Sequence, residues 1–115
     1  MDELRVKCPW DMKQTNQTLR KLTIEETYEL ADAILQDDND SIRKELGDLL
    51  LHVAFYSKIG SEKGLFDIGD VLEGINNKLV YRHPHVFGDV SVTRGAREVE
   101  ENWEKLKMTE HSGYK

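Results

Sequence analysis

Between Pro9 and Pro84, the only prolines of the chain, apolar residues recur at the three- and four-residue intervals of amphipathic helices. No sustained strict alternation marks a half-buried strand. The pattern predicts an all-α domain. A first helix is expected from about Thr15 to Leu35, stopped by the polar turn Asp37-Asp38-Asn39-Asp40, and a second from about Ser41 to Ile59, before Gly60 and Gly64. Asp67 reads as the N-cap of a third helix carrying Ile68, Val71, Leu72, Ile75 and Leu79, which ends near Arg82 because Pro84 disfavours helix at His83. A fourth, from about Gly95 to Thr109, puts Val99, Trp103 and Leu106 on one stripe, and the tail from His111 to Lys115 is expected to fray. Together these make a four-helix-bundle-type domain. The first helix also carries a second apolar stripe, Ile24, Tyr28, Ala31 and Leu35. A helix apolar on two faces needs two partners, so the chain is expected to oligomerise through helix faces, as a homodimer or a dimer of dimers.

Length and charge narrow the class. At 115 residues, with 38% hydrophobic and 33% charged residues, the chain fits one small globular domain, residues 1–115. A net charge of −6 argues against binding a nucleic-acid polymer or an anionic membrane. Cys8, the single cysteine, can form neither an internal disulfide nor a multi-cysteine zinc site. Residues Met1 to Arg5 lack the apolar region of a signal peptide, and no apolar run is long enough for a membrane span, so the expected compartment is the cytoplasm.

The informative feature is where the acids fall. Projected at about 100° per residue, Leu19, Leu22, Glu26, Glu29, Leu30 and Ala33 share one face of the first helix. Ile42, Glu45, Asp48, Leu49, His52, Phe55, Tyr56 and Ile59 share one face of the second. Each apolar stripe is thus interrupted by two acids at i, i+3 spacing, which lets each pair aim its oxygens at one point. An unpaired buried carboxylate costs several kcal/mol, and four would repel one another. The nearest basic residues, Lys21, Arg43 and Lys44, project mostly away. An all-oxygen cluster of this kind suits a hard cation that shares its shell with phosphates, Mg²⁺ or Mn²⁺ better than zinc.

Blander roles stand beside these. Thr23-Ile24-Glu25-Glu26 matches a capping box, so Glu26 alone could cap a helix that begins at Thr23. His52 fits a polar core residue with one hydrogen-bond partner better than a ligand, and Gly47 fits a close helix approach. Lys78 and Arg82, at i, i+4, form either a cationic face for polyphosphate or a solvated helix end. Trp103 has the spacing of a packed stripe, with a base platform as the alternative; Trp10 reads as an anchor for the N-terminal segment, with nucleobase stacking as the alternative, and His83 and His85 as a rigid turn around Pro84, with metal binding as the alternative. Gly-rich phosphate loops, nucleophile elbows and CxxC pairs are missing from the sequence.

Taken in order, Cys8-Pro9-Trp10-Asp11 with Gln14-Thr15, Glu25-Glu26-Thr27-Tyr28-Glu29, Glu45-Leu46-Gly47-Asp48-Leu49-Leu50, and Lys78 with Arg82-His83-Pro84-His85-Val86-Phe87-Gly88-Asp89 resemble the MazG family of nucleoside triphosphate pyrophosphohydrolases, over roughly residues 7 to 107. The resemblance implies an all-α bundle, Mg²⁺ dependence, and hydrolysis of nucleoside triphosphates to monophosphate and pyrophosphate. It places metal ligands on Glu26, Glu29, Glu45 and Asp48, and nucleotide contacts on the Leu22 to Glu26 segment, Lys78, Arg82 and Trp103. Two features depart from the pattern: many family members carry two such domains in tandem where this chain has one, and Lys44 stands where a second acid is frequent.

The expected chemistry follows. Mg²⁺ on the four acids would polarise the phosphorus under attack and make a bound water more acidic; Lys78 and Arg82 would neutralise the leaving pyrophosphate, and Glu25, about 100° round the helix from Glu26, is a candidate base. The main rival is a non-catalytic dimerising or nucleotide-sensing module of the same fold. A carboxylate-bridged di-iron protein is disfavoured, because neither acid pair is a Glu-x-x-His set.

Overall fold

The computed structural model describes residues 1–88 and 95–113, with side chains through Thr109. Its helices are α1 (Asp2–Lys7), α2 (Pro9–Met12), α3 (Asn16–Leu35), α4 (Asn39–Glu62), α5 (Ile68–Arg82), α6 (Pro84–Phe87) and α7 (Ala96–Gly113), and no strand occurs among the described residues. The chain divides into two compact units, Met1–Val71 and Leu72–Lys115, each taken by itself below.

The first unit is built on the α3–α4 hairpin. Thr15 caps α3 reciprocally: its hydroxyl accepts from the Thr18 amide at 3.2 Å, and the Thr15 amide donates to the Thr18 hydroxyl at 2.8 Å. Thr23 therefore lies inside α3, not at its start, which removes the capping-box reading of Glu26. Asp37, at φ 54°, takes the left-handed conformation that an Asp tolerates and turns the chain. Asp38 then caps α4, accepting from the Ser41 amide at 3.2 Å, and these Ser41 bonds hold its carboxyl below the usual carboxylate range. The cap starts α4 two residues before the predicted Ser41. Its end also comes later, at Glu62: Gly64, at φ 69°, lets the Leu65 amide reach back to the Gly60 carbonyl at 3.0 Å, and the Gly64 amide to that of Ser61 at 3.0 Å.

Leu19 of α3 packs with Phe55 and Ile59 of α4, with Met1, Leu22 and Tyr56 around them. Each full burial of such a side chain is worth about 1.5–3 kcal/mol, and Leu19, Ala33, Phe55 and Ile59 are the buried apolar residues among those described. The predicted second stripe of α3 is left open, with Tyr28 73% and Leu35 83% exposed.

The N-terminal helices, unforeseen in the hydrophobic pattern, are held by one residue. Arg5 grips the Glu62 carboxylate through Nη2 at 2.6 Å and Nε at 2.9 Å, donates through Nη1 to the carbonyls of Asp11 at 2.6 Å and Gln14 at 3.0 Å, and lies 5.7 Å from the Phe55 ring centroid. This pairing holds Glu62 below the usual carboxylate range. Trp10 meets the same Phe55 edge-on at 6.4 Å, the anchoring role expected of it. A Cβ at Gly47 would meet nothing within 4 Å, so within this chain that glycine serves no close helix approach.

Asp67 caps α5 as expected, its carboxylate accepting from the Asp70 amide at 2.9 Å while its own amide donates to the Asp70 carboxylate at 2.9 Å. In the second unit, Pro84 ends α5 and begins the one-turn helix α6, where its missing N–H costs nothing. Helix α7 continues through Gly113, past the predicted end at Thr109; Tyr114, Lys115 and the motif residue Asp89 lie outside the described residues.

Candidate functional site

Helical geometry brings Glu26 and Glu29 to successive turns of α3, facing Glu45 on α4. One carboxylate oxygen from each lies within 4.8 Å of the others. Oε2 of Glu26 and Oε2 of Glu45 are buried without a hydrogen-bond partner. An acceptor stranded in this way costs about 1–3 kcal/mol, more when charged. Among the described residues no lysine or arginine pairs with any of the three.

The electrostatics record the crowding. Glu26 is pushed up to about 7, first because its carboxyl lies against that of Glu45, then by burial and by the charges of Glu29 and Asp48. Glu29 is raised too, mainly by Glu45. Two stranded oxygens, three converging carboxylates and no basic partner fit a hard divalent cation. Asp48 falls outside the converging group yet is near enough for its charge to act on both Glu26 and Glu29. Glu25 is exposed on α3, while Leu22 is half-buried against the Leu19 core. A concavity of about 280 Å³ between Met1, Asp2, Ser57, Lys58, Asp67 and Ile68 holds none of Glu26, Glu29, Glu45 and Asp48.

His52 makes the side-chain hydrogen bond expected of a polar core residue, Nδ1 lying 2.6 Å from the Thr23 hydroxyl. Thr23 had offered only a capping signal in sequence; its true contacts are across the hairpin, and no local pattern marks them. The remaining sequence candidates belong to the second unit. Lys78 is exposed on α5, Arg82 is half-buried at its end, and Trp103 is half-buried on α7. Trp103 meets the His83 ring edge-on at 5.3 Å, and its Nε1 is buried without a partner. His83 and His85 lie 5.5 Å apart, and His83 Nδ1 donates to the Leu79 carbonyl, which ties the rigid turn to α5.

Residues 14–87 match the sequence profile of the MazG nucleotide pyrophosphohydrolase domain. This chain belongs to the MazG family. A nucleoside triphosphate pyrophosphohydrolase of Escherichia coli (strain K12) is 48% identical over 105 residues, 91% of this chain and 40% of that protein. The nucleoside triphosphate pyrophosphohydrolase/pyrophosphatase MazG of Thermotoga maritima is 51% identical over 82 residues, 71% of this chain and 32% of that protein. The chain spans less than half the length of the curated relatives it matches. In fold it is similar to the crystal structure of a mazG-related protein from Thermotoga maritima, with a TM-score of 0.75 and 23% identity over 93% of this chain and 92% of that one. The MazG profile covers all four predicted metal-ligand acids, Lys78 and Arg82, and stops short of Trp103. Among the described residues no helix is long and apolar enough to cross a membrane.

Proposed function

We propose that this MazG chain, acting as one domain over residues 1–115, hydrolyses nucleoside triphosphates to nucleoside monophosphate and pyrophosphate. The observation that carries the reading is the trio Glu26, Glu29 and Glu45, with two buried oxygens lacking any partner, in a chain of this family. These three acids and Asp48 would hold Mg²⁺, with Mn²⁺ as a substitute of the same oxygen preference. When bound, the cation supplies positive charge to the phosphates and makes water more acidic. The chain's own groups do the rest. Water oxygen bonds to the α-phosphorus, the bond from that phosphorus to the bridging oxygen breaks, and pyrophosphate leaves with the electron pair. Lys78 and Arg82 take the outer phosphates and neutralise the charge gathering there. Glu25 accepts the proton from the attacking water, while Trp103 and the Leu22 to Glu26 segment hold the nucleoside. The role we assign is nucleotide-pool house-cleaning in the cytoplasm.

The test separates nucleotide products by chromatography and measures phosphate with and without inorganic pyrophosphatase. Monophosphate is expected, with phosphate appearing only after pyrophosphatase; chelation should abolish turnover and Mn²⁺ restore it at least partly. Diphosphate plus free phosphate would mean γ-phosphate hydrolysis instead. No metal-dependent turnover across a panel of canonical and modified triphosphates would favour the nucleotide-sensing module.

The exposed apolar stripe of α3 supports assembly as a homodimer or a dimer of dimers. Light scattering at micromolar concentration should return at least twice the 13.3 kDa chain mass; a monomeric mass would defeat this part of the reading.

A further inference from the structure

Thr23 sits one turn before Glu26, and its hydroxyl oxygen is where three contacts meet: the Leu19 carbonyl at 3.1 Å, Nδ1 of His52 at 2.6 Å and the Tyr56 hydroxyl at 2.5 Å. A hydroxyl has one proton to give and two lone pairs to fill. The carbonyl can only accept, so the Thr23 proton goes to Leu19. Both remaining partners must then donate, the phenol O–H of Tyr56 and Nδ1–H of His52. A neutral His52 with its proton on Nδ1 leaves Nε2 bare. The rings of His52 and Tyr56 meet edge-on at 6.4 Å, so neither can swing without disturbing the other.

We propose that Thr23 is a positioning residue for the acid cluster: by accepting from both His52 and Tyr56 it locks the register of α3 against α4, and with it the approach of Glu26 and Glu29 to Glu45. The inference rests on the acids being the cation site proposed above. The lock lies on the same faces as the acids. Thr23 precedes Glu26 by three residues, and His52 follows Asp48 by four, so a slide of one helix past the other would move the lock and the acids together. A hydroxyl with its donors fixed resists that slide in a way that apolar contact, which is non-directional, does not.

Two measurements on the full chain test it. Long-range ¹H–¹⁵N correlation spectra of the metal-free protein, with His52 assigned from a His52→Gln variant, should show the Nδ1–H tautomer. Thr23→Val, nearly the same shape without the hydroxyl, should lose that tautomer and bind Mn²⁺ about tenfold more weakly by electron paramagnetic resonance titration, in line with the loss of groups that orient metal ligands. Thr23→Ser should restore both. Should Thr23→Val fail to fold, Tyr56→Phe, which removes one donor and keeps the ring, carries the same expectation for Mn²⁺ affinity. A parent protein with the His52 proton on Nε2, or a folded Thr23→Val that binds Mn²⁺ as tightly as the parent, would overturn the lock alone. A parent that binds no Mn²⁺ would overturn the cation site and the lock with it.

Discussion

Glu45→Gln should abolish metal-dependent turnover while leaving the metal-free chain as stable as before, or more so. Glu45 stands at the centre of the acid cluster: its carboxyl is the leading cause of the upward shifts at both Glu26 and Glu29. The substitution keeps the shape, removes one negative charge, and supplies an amide N–H that can donate to a neighbouring carboxylate. Relief of repulsion should be worth on the order of 1 kcal/mol, seen as a melting temperature raised by a few degrees in chelator. The same change takes an oxygen anion from the cation site. The rate should fall by roughly two or more orders of magnitude, the equivalent of several kcal/mol of lost charge stabilisation. Melting curves in chelator and pyrophosphate release with Mg²⁺ check the two halves. A variant that melts well below the parent would show that Glu45 has a stabilising partner in the metal-free fold.

The metal-free chain should also lose stability as pH rises from 5 to 8. An unfolded glutamate titrates from 4.5, and Glu26 in the folded chain near 7, because it lies against Glu45. Between those values the folded state keeps a proton that the unfolded state has released, so the stability this proton confers is complete below pH 4.5 and gone above about 7. Glu29, shifted the same way, adds to the trend. The groups shifted downward, Asp2, Asp38 and Glu62, act in the opposite sense, but only at and below the normal carboxylate range. Divalent metal should flatten the slope: a cation must displace the Glu26 proton, so its affinity should fall about tenfold per pH unit below 7, and the stability it adds rises with pH as fast as that of the proton is lost. Melting temperatures across pH 5–8, with chelator and with saturating Mn²⁺, provide the check. A metal-free melting temperature that climbed with pH would rule out the crowded carboxyl pair.

The hairpin was legible in the sequence because its signals are local. Leu19, Leu22 and Ala33 on one stripe and Phe55 and Ile59 on the other sit where helical periodicity puts them, and the caps Thr15 and Asp67 carry the residue types that caps require. The convergence of Glu26, Glu29 and Glu45 followed from the same periodicity applied to polar residues. What escaped depends on groups far apart in the chain or on single turns. The short helices α1 and α2 are held by Arg5 against Glu62, a pairing across 57 residues that no periodicity announces. Thr23 stayed open in sequence between a helix start and a mid-helix position, because both have the same local pattern; the Thr15 cap places it inside α3, and its contacts with His52 and Tyr56 come from the neighbouring helix. Asp48 shares its stripe with Glu45 and acts on Glu26 and Glu29 through its charge, outside the three oxygens that converge.

The hairpin is fastened at both ends. On one side of the acids the chain turns tightly through Asp37 into the Asp38 cap; at the far end of α4, Arg5 ties Glu62 to the carbonyls of Asp11 and Gln14, just ahead of α3. Helices free at one end could splay and let mutually repelling carboxylates drift apart. Here both ends are tied, so the ties oppose the repulsion between the carboxylates, and a proton or a cation relieves it. The Arg5 clasp, far along α4 from Glu26 and Glu45, thereby acts as the rivet against which the acid cluster is spring-loaded.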